Sequence, residues 1–135
     1  MKYTIDDCTI IEIPKNHSDR GSLSVVESNN SIPFEIKRVY FTYDIPSGAE
    51  RGGHAHKNLF QLIVAASGSF NVLVDDGVNS KELFLNNPSK GLIVTPGIWR
   101  EINNFSAGGI VLVMASELYD DGDYYRNYSE FKGLK

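Results

Sequence analysis

Short runs of apolar and β-branched residues alternate along the chain with Gly, Pro, Asn and Asp, a pattern typical of short strands joined by turns. The runs predict strands over 9–13, 22–26, 34–45, 59–66, 70–74, 81–85, 91–95 and 110–115. Asp75-Asp76-Gly77 predicts a hairpin turn, because Asp-Gly accepts the positive φ angles of a primed turn. Closely spaced strands with little helical periodicity predict an all-β sandwich or barrel.

The segment 117–135 has a different pattern, in which aromatic residues lie among acidic ones. Tyr124, Tyr128 and Phe131 are spaced i, i+4, i+7, which places them on one face of a helix. We therefore predict a short C-terminal helix packed on the barrel, and we interpret the tyrosines of this tail as packing residues. With 135 residues and no linker or repeat, we expect a single domain over 1–135.

Charge and cysteine content narrow the class of protein. A net charge of −4 with scattered basic residues argues against nucleic acid or a membrane surface as the main partner. The single cysteine, Cys8, cannot form an internal disulfide, and we expect it at a buried or edge position of the first strand. Because the sequence also lacks a signal-peptide pattern and an apolar run of membrane-spanning length, we expect a cytoplasmic protein.

Two histidines, His54 and His56, form the most distinctive feature of the chain. In an extended segment, residues at i and i+2 point to the same side, so both rings would share one wall of a pocket. Gly52 and Gly53 precede them and leave the backbone open to close approach by a ligand. Such a pair can bind a metal ion or transfer protons.

The spacing around the histidines resembles the first motif of the cupin family, here Gly48, His54, His56, Gln61 and Gly68. This resemblance implies a jelly-roll barrel, a double-stranded β-helix. One position departs from the motif, because Gln61 replaces the usual glutamate.

The departures argue against a metal ion. The second motif region, 91–103, lacks the histidine expected of a metal-binding cupin and has Trp99, Arg100 and Glu101 instead. A neutral amide such as Gln61 is a poor ligand for a divalent ion, and a nearby arginine repels one. We therefore expect no metal and no other cofactor, with His54 and His56 acting as an acid/base pair.

A longer ordered set of motifs resembles the dTDP-sugar 3,4-ketoisomerases and runs from about Ile11 to Phe131. Its members are Arg51-Gly-Gly-His-Ala-His-Lys57, Gln61, Gly68-Ser69, Leu73-Val-Asp-Asp-Gly77, Trp99-Arg-Glu101, Ala115-Ser-Glu-Leu-Tyr119 and Asp123-Tyr-Tyr-Arg-Asn-Tyr128. The resemblance implies a homodimer with exchanged strands that converts dTDP-4-keto-6-deoxyglucose to a dTDP-3-keto-6-deoxyhexose without a cofactor. In that family the product feeds deoxyamino-sugar biosynthesis for polysaccharide, S-layer or antibiotic glycosylation.

This chemistry suits two histidines. Moving the ketone from C4 to C3 requires removal of the C3 proton and delivery of a proton to C4 through an enediolate. His56 is our leading candidate for the base at C3, and His54 would deliver the proton at C4 or hold the enediolate. Alternatively, one histidine makes both transfers and the other orients the sugar.

Seven further residues are candidates for substrate binding, each with a structural role as the alternative: Arg20, Arg38, Tyr40, Arg51, Gln61, Trp99 and Arg100. Arg51 would contact the sugar or diphosphate, and Gln61 a sugar hydroxyl or a histidine. Arg38 and Tyr40 alternate with the apolar Val39 and Phe41. Because alternate residues of a strand point to opposite sides, one of these two pairs faces the cavity. Trp99 would stack on thymine.

Three other functions compete with ketoisomerisation: a dTDP-sugar 3,5-epimerase, a non-catalytic sugar-binding cupin, and a metal-dependent cupin enzyme. The sequence leaves open the nucleotide preference and the product stereochemistry at C4. We take Arg20 and Arg100 as candidates for setting that stereochemistry, with Arg20 reaching the partner's pocket if strands are exchanged.

Overall fold

The structure, a computed structural model, describes residues 2–135. Its strands are β1 (Ile10–Glu12), β2 (Lys15–Ser18), β3 (Gly21–Ser24), β4 (Arg38–Thr42), β5 (Arg51–His56), β6 (Gln61–Ser67), β7 (Phe70–Asp75), β8 (Ser80–Leu85), β9 (Lys90–Val94), β10 (Trp99–Asn103), β11 (Ile110–Ala115) and β12 (Tyr124–Tyr125). The α-helix α1 (Tyr128–Lys132) and two 3-10 turns, Ile5–Asp7 and Asp121–Asp123, complete it.

The strands form two 5-stranded antiparallel sheets, in the orders β1-β9-β6-β11-β4 and β12-β5-β10-β7-β8. Apolar side chains from both sheets meet in one core, among them Ile63 and Val113 of the first sheet and Val72 and Ile102 of the second. This arrangement confirms the predicted all-β jelly-roll barrel with a short C-terminal helix.

Strand β6, in the middle of the first sheet, is buried on both faces. Ile13, Ile32 and Phe34, from the segments around β2 and β3, pack on its outer face against Leu62 and Val64 of β6. This double burial explains why β6 is a continuous apolar run rather than an alternating one. It also corrects the predicted strand 34–45, which is limited to Arg38–Thr42 because the residues before it cover the sheet instead of joining it.

The C-terminal tail covers the outer face of the second sheet. Phe131 of α1 is fully buried against Ala55 and Trp99. The helix is shorter than its periodicity suggests, because the Asn127 side chain caps it by accepting from the backbone N–H of Glu130. Tyr124 therefore lies outside the helix, on β12, where it pairs with β5.

Most of the other strands and turns lie where the sequence pattern predicted them. The Asp-Gly turn joins β7 to β8 as predicted, with Gly77 at a φ of 90°. Strands β2, β5, β10 and β12 lie outside the predicted strand ranges, although an extended segment was expected at the histidines of β5. Strand β10 places the charged Arg100 on an inward-facing position where an apolar residue is usual. Cys8 is buried as expected, but it precedes β1 rather than lying within it.

The hairpin of β2 and β3 forms a separate 2-stranded sheet, and every residue of both strands is exposed. In residues 2–135, no helix has the length and apolar character needed to cross a membrane.

Candidate active site

A cavity of about 90 Å³ opens between the two sheets and is lined by polar side chains from four strands. Tyr40 of β4, His54 of β5, Gln61 of β6 and Arg100 of β10 border it, with Arg51 at its rim. Its remaining wall is mainly aliphatic. The polar groups therefore converge on one pocket within an otherwise apolar barrel, as is typical of small-molecule sites.

The two histidines lie together on β5, as predicted from their spacing. Their ring centroids are 4.8 Å apart and the rings are perpendicular. His54 borders the cavity, whereas His56 is completely buried and lies behind it. The ring of Tyr124 packs on both, with centroids 5.0 Å from His54 and 4.4 Å from His56.

Hydrogen bonds determine which nitrogen of each ring carries the proton. His54 Nδ1 donates to the backbone carbonyl of Gly52, which can only accept. His56 Nδ1 lies 3.0 Å from a carboxylate oxygen of Asp123. Among the described residues, neither Nε2 atom has a hydrogen-bond partner, although both are buried. Each histidine therefore has an unshared lone pair on Nε2.

Burial and positive charge keep both histidines neutral. Burial, followed by the charge of Arg100, lowers the pKa of His54 to about 4. The same two causes, in the same order, lower the pKa of His56 to about 2. At neutral pH both rings are therefore uncharged.

A chain of hydrogen bonds crosses the cavity from β10 to β4. Arg100, which is 1% exposed, donates from Nε and Nη2 to the carbonyl of Ile98, and from Nη1 to Oε1 of Gln61. Gln61 in turn donates from Nε2 to the hydroxyl of Tyr40, 3.1 Å away. Burial lowers the pKa of Arg100 to about 10, so it remains a cation at neutral pH.

This donor set is unsuited to a divalent cation. The amide oxygen of Gln61 faces the Arg100 guanidinium, and no group of three or more His, Cys, Asp or Glu residues within 2–135 has metal-binding geometry. A buried arginine without a carboxylate partner instead favours an anionic group in the cavity.

Arg38 adds a second cation near the histidines. Its guanidinium lies 5.4 Å from the ring centroid of Tyr40 and 5.5 Å from that of Tyr119. Its Nε and Nη2 atoms are buried without a hydrogen-bond partner among the described residues. It therefore has donors available for a ligand oxygen.

Three of the predicted substrate contacts, Arg20, Arg38 and Trp99, do not border this cavity. Trp99 is buried beside the tail, with its ring centroid 5.3 Å from Tyr128, and its Nε1 donates to Glu101. Arg20 is exposed in the turn between β2 and β3. Stacking of Trp99 on thymine and substrate contact by Arg20 remain predictions.

Asp123 and Tyr124 contact the histidine pair, but sequence reasoning assigned the tail to packing alone. Nothing in the local pattern distinguishes Asp123 from the neighbouring acidic residues Asp120 and Asp121. Only the pairing of Tyr124 with His56 across the sheet places this carboxylate beside a histidine. The only feature of the sequence that could have indicated a functional role for Asp123 was its place in the longer motif, which resembles the ketoisomerases and includes Asp123-Tyr-Tyr.

Comparisons with known proteins agree with this geometry. The model of the FdtA family, described as WxcM-like, C-terminal, matches residues 6–135. A TDP-4-oxo-6-deoxy-alpha-D-glucose-3,4-oxoisomerase from Aneurinibacillus thermoaerophilus is 44% identical over 91% of this chain and 88% of its own. A 3,4-ketoisomerase from Helicobacter canadensis is 41% identical, with a TM-score of 0.92 over 95% of this chain and 96% of its own.

A third relative has a bound sugar nucleotide. It is a histidine-to-asparagine variant of the 3,4-ketoisomerase QdtA from Thermoanaerobacterium thermosaccharolyticum, in complex with TDP-4-keto-6-deoxyglucose. It is 35% identical, with a TM-score of 0.92 over 94% of this chain and 92% of its own. The sequence-based assignment is thus confirmed, and the chain belongs to the FdtA family, with TDP-sugar 3,4-ketoisomerases among its relatives.

Proposed function

We propose that the protein is a 3,4-ketoisomerase that converts TDP-4-keto-6-deoxyglucose to a TDP-3-keto-6-deoxyhexose. The observation that carries this proposal is the pair of neutral histidines with unpartnered Nε2 atoms beside a cation-bearing cavity. Relatives that act on or bind this sugar nucleotide support the choice of substrate.

The reaction moves two protons and leaves the oxidation state of the sugar as a whole unchanged. A base removes the proton on C3, and the electrons of that C–H bond form the C3=C4 bond while negative charge develops on O4. That proton is then delivered to C4. The second proton passes from O3 to O4, so that the C3 hydroxyl becomes the new ketone and the C4 oxygen becomes a hydroxyl.

His54 is the better candidate for the base at C3, in place of the sequence-based preference for His56. His54 borders the cavity, and its Nδ1 bond to Gly52 leaves Nε2 ready to accept a proton. His56 is completely buried behind it, so we assign it the role of supporting and orienting His54. Protonated His54 can then return the proton at C4.

The hydrogen-bond donors around the cavity would stabilise the enediolate. Arg100 supplies positive charge at the cavity, and Tyr40 supplies a hydroxyl that accepts from Gln61. Arg38 does not line the cavity, but it adds a second cation behind Tyr40. Fixed donors in a buried site stabilise a developing oxyanion more strongly than water does, because they need no reorganisation.

The nucleotide would extend beyond the cavity. A volume of about 90 Å³ is too small to enclose a sugar nucleotide, so only the sugar end would enter. Arg51, exposed at the rim, would meet the diphosphate as it leaves the cavity.

We also propose that the enzyme is a homodimer with exchanged strands, the hairpin of β2 and β3 reaching the partner. Among the described strands this hairpin pairs only with itself, which leaves its surface available. The edge strand β4 carries exposed Val39 and Phe41 on its outer face, and exposed Tyr43 directly follows it. Together they form a suitable apolar surface for a second copy. In such a dimer Arg20 would approach the partner's cavity.

Light scattering during size-exclusion chromatography tests the dimer, for which we expect twice the mass of one chain. Phe41→Asp should shift the protein toward the monomer, because it places a charge in the apolar contact. Phe84→Asp, at another exposed phenylalanine on β8, is the matched control and should leave the mass unchanged. A wild-type mass of one chain would contradict the dimer.

The stereochemistry at C4 depends on the face of the enediolate that is protonated. Arg100 borders the cavity, and Arg20 is exposed and would reach a cavity only if strands are exchanged in a dimer, so both remain our candidates for this choice. If substitution of one of these arginines left the ratio of the two C4 epimers unchanged, that residue would no longer be a candidate.

Proton NMR of TDP-4-keto-6-deoxyglucose in D2O with chelator-treated enzyme tests the function. We expect a 3-keto product, with deuterium at C4 to the extent that the transferred proton exchanges with solvent. Exchange at C3 and C5 without carbonyl migration would indicate an epimerase. An unchanged spectrum would favour a binding protein, and recovery on adding a divalent metal would indicate a metal-dependent enzyme.

A further inference from the structure

Asp123 lies where the tail crosses the end of β5, and it is only 8% exposed. It ends the 3-10 turn Asp121–Asp123 and directly precedes β12. One carboxylate oxygen lies 3.0 Å from His56 Nδ1, and the other accepts from the backbone N–H of Asn58 at 2.8 Å. Both oxygens are therefore engaged, each with a different group.

The backbone holds this carboxylate in place. The carbonyl of Asp123 accepts from the N–H of Lys57 at 2.8 Å, and Tyr124 is paired with His56 in the sheet. The segments 56–58 and 123–124 are thus joined by main-chain and side-chain bonds together. The carboxylate cannot turn away from His56 without breaking its bond to Asn58.

The chemistry of the two partners leaves one proton arrangement for His56. A backbone N–H can only donate, so one oxygen of Asp123 must remain an acceptor toward Asn58. Toward His56 the carboxylate is also an acceptor, which requires a proton on Nδ1 and leaves Nε2 bare. The ring of His56 lies 4.8 Å from that of His54. The tautomer of His56 therefore decides whether a lone pair or an N–H group at Nε2 lies near the proposed base.

We propose that Asp123 is a positioning residue that holds His56 in the tautomer protonated on Nδ1, with a free lone pair on Nε2. The inference deepens the proposed function and rests on it, because it concerns the group behind the base of the isomerase site. Asp123 acts through His56, much as a carboxylate orients a histidine in other acid/base sites.

Asp123→Asn tests this because an amide cannot satisfy both partners in the original arrangement. Its oxygen must face the N–H of Asn58, so its NH2 group faces His56 Nδ1. That nitrogen must then accept, and the proton moves to Nε2. We expect nitrogen-15 NMR of the histidine side chains to show His56 protonated on Nδ1 in the wild type and on Nε2 in the variant.

The kinetic expectation is a fall in kcat of at least about tenfold with little change in KM, since the wrong tautomer leaves binding groups in place. Asp121→Asn is the matched control, because Asp121 is an exposed carboxylate of the same turn that contacts Tyr119 and Arg126 but neither histidine. It should retain the wild-type tautomer and kcat.

Three results would overturn the proposal: a wild-type His56 protonated on Nε2, an Asp123→Asn variant that keeps the wild-type tautomer, or an inverted tautomer with unchanged kcat. The wild-type spectrum decides the first even if the variant fails to fold. The nitrogen-15 NMR spectra are recorded without substrate, so they do not depend on catalytic activity. If the wild type proved inactive, the proposed function would be refuted, but the effect of Asp123 on the tautomer of His56 could still be measured.

Discussion

Replacing His54 by asparagine is expected to lower kcat for TDP-4-keto-6-deoxyglucose by about 10²–10⁴-fold, the usual contribution of a general base. Asparagine retains a donor that can reach the Gly52 carbonyl, but it has no group that accepts a proton at neutral pH. Because the remaining donors around the cavity are unchanged, binding of TDP should change little. Steady-state kinetics and calorimetric titration with TDP measure the two effects separately.

His56→Asn is the matched comparison for this prediction. His56 is completely buried and does not border the cavity, so its loss should slow the reaction less than the loss of His54. Exchange of the C3 proton of the 4-keto substrate with solvent deuterium should stop in His54→Asn and continue at a reduced rate in His56→Asn. If instead His56→Asn stops exchange and His54→Asn does not, the base is His56, as the sequence alone suggested.

Stability is expected to fall steeply with acid, beginning below about pH 6.5. The folded-state pKa values of His54 and His56 are lowered to about 4 and about 2, whereas the unfolded chain binds these protons near 6.5. Between these values the unfolded state holds more protons, so the free energy of unfolding decreases as pH falls. The loss is on the order of 1 kcal/mol per pH unit for each histidine.

Urea unfolding at several pH values between 7 and 5 measures this slope. In the double variant His54→Asn with His56→Asn, the slope should largely disappear, because the two groups that resist protonation are absent. A wild-type free energy of unfolding that stays constant over this range would show that the buried rings bind protons as easily as those of the unfolded chain. The same burial and the same Arg100 charge that cause this acid sensitivity keep both histidines neutral for proton transfer.

Much of the fold follows from patterns that the chain carries locally. Alternation of period two predicted that Tyr40 and Phe41 face opposite sides of β4 but not which of them faces inward. The structure places Tyr40 at the cavity and Phe41 on the outer face. The Asp-Gly turn and the side-by-side histidines follow from backbone geometry over a few residues. These features are set by residues close together in sequence, so they do not depend on which strands become neighbours in the barrel.

The partners of the site residues depend instead on which strands become neighbours. Gln61 was expected to contact backbone, sugar or histidine, but the barrel places it between Arg100 and Tyr40, from two other strands. Trp99 was a candidate for stacking on thymine or for a structural role, and packing of the tail places it against Phe131. Such contacts join residues far apart in sequence, and local periodicity contains no information about them.

The sequence by itself determined the all-β class, the family and the presence of two histidines on one wall of a pocket. Only the tertiary structure decided that His54 borders the cavity, that His56 lies behind it, and that Asp123 meets His56 across 67 residues of chain. The physical reason is that hydrogen bonds and burial, which set proton positions and pKa values, arise from the packing of distant segments.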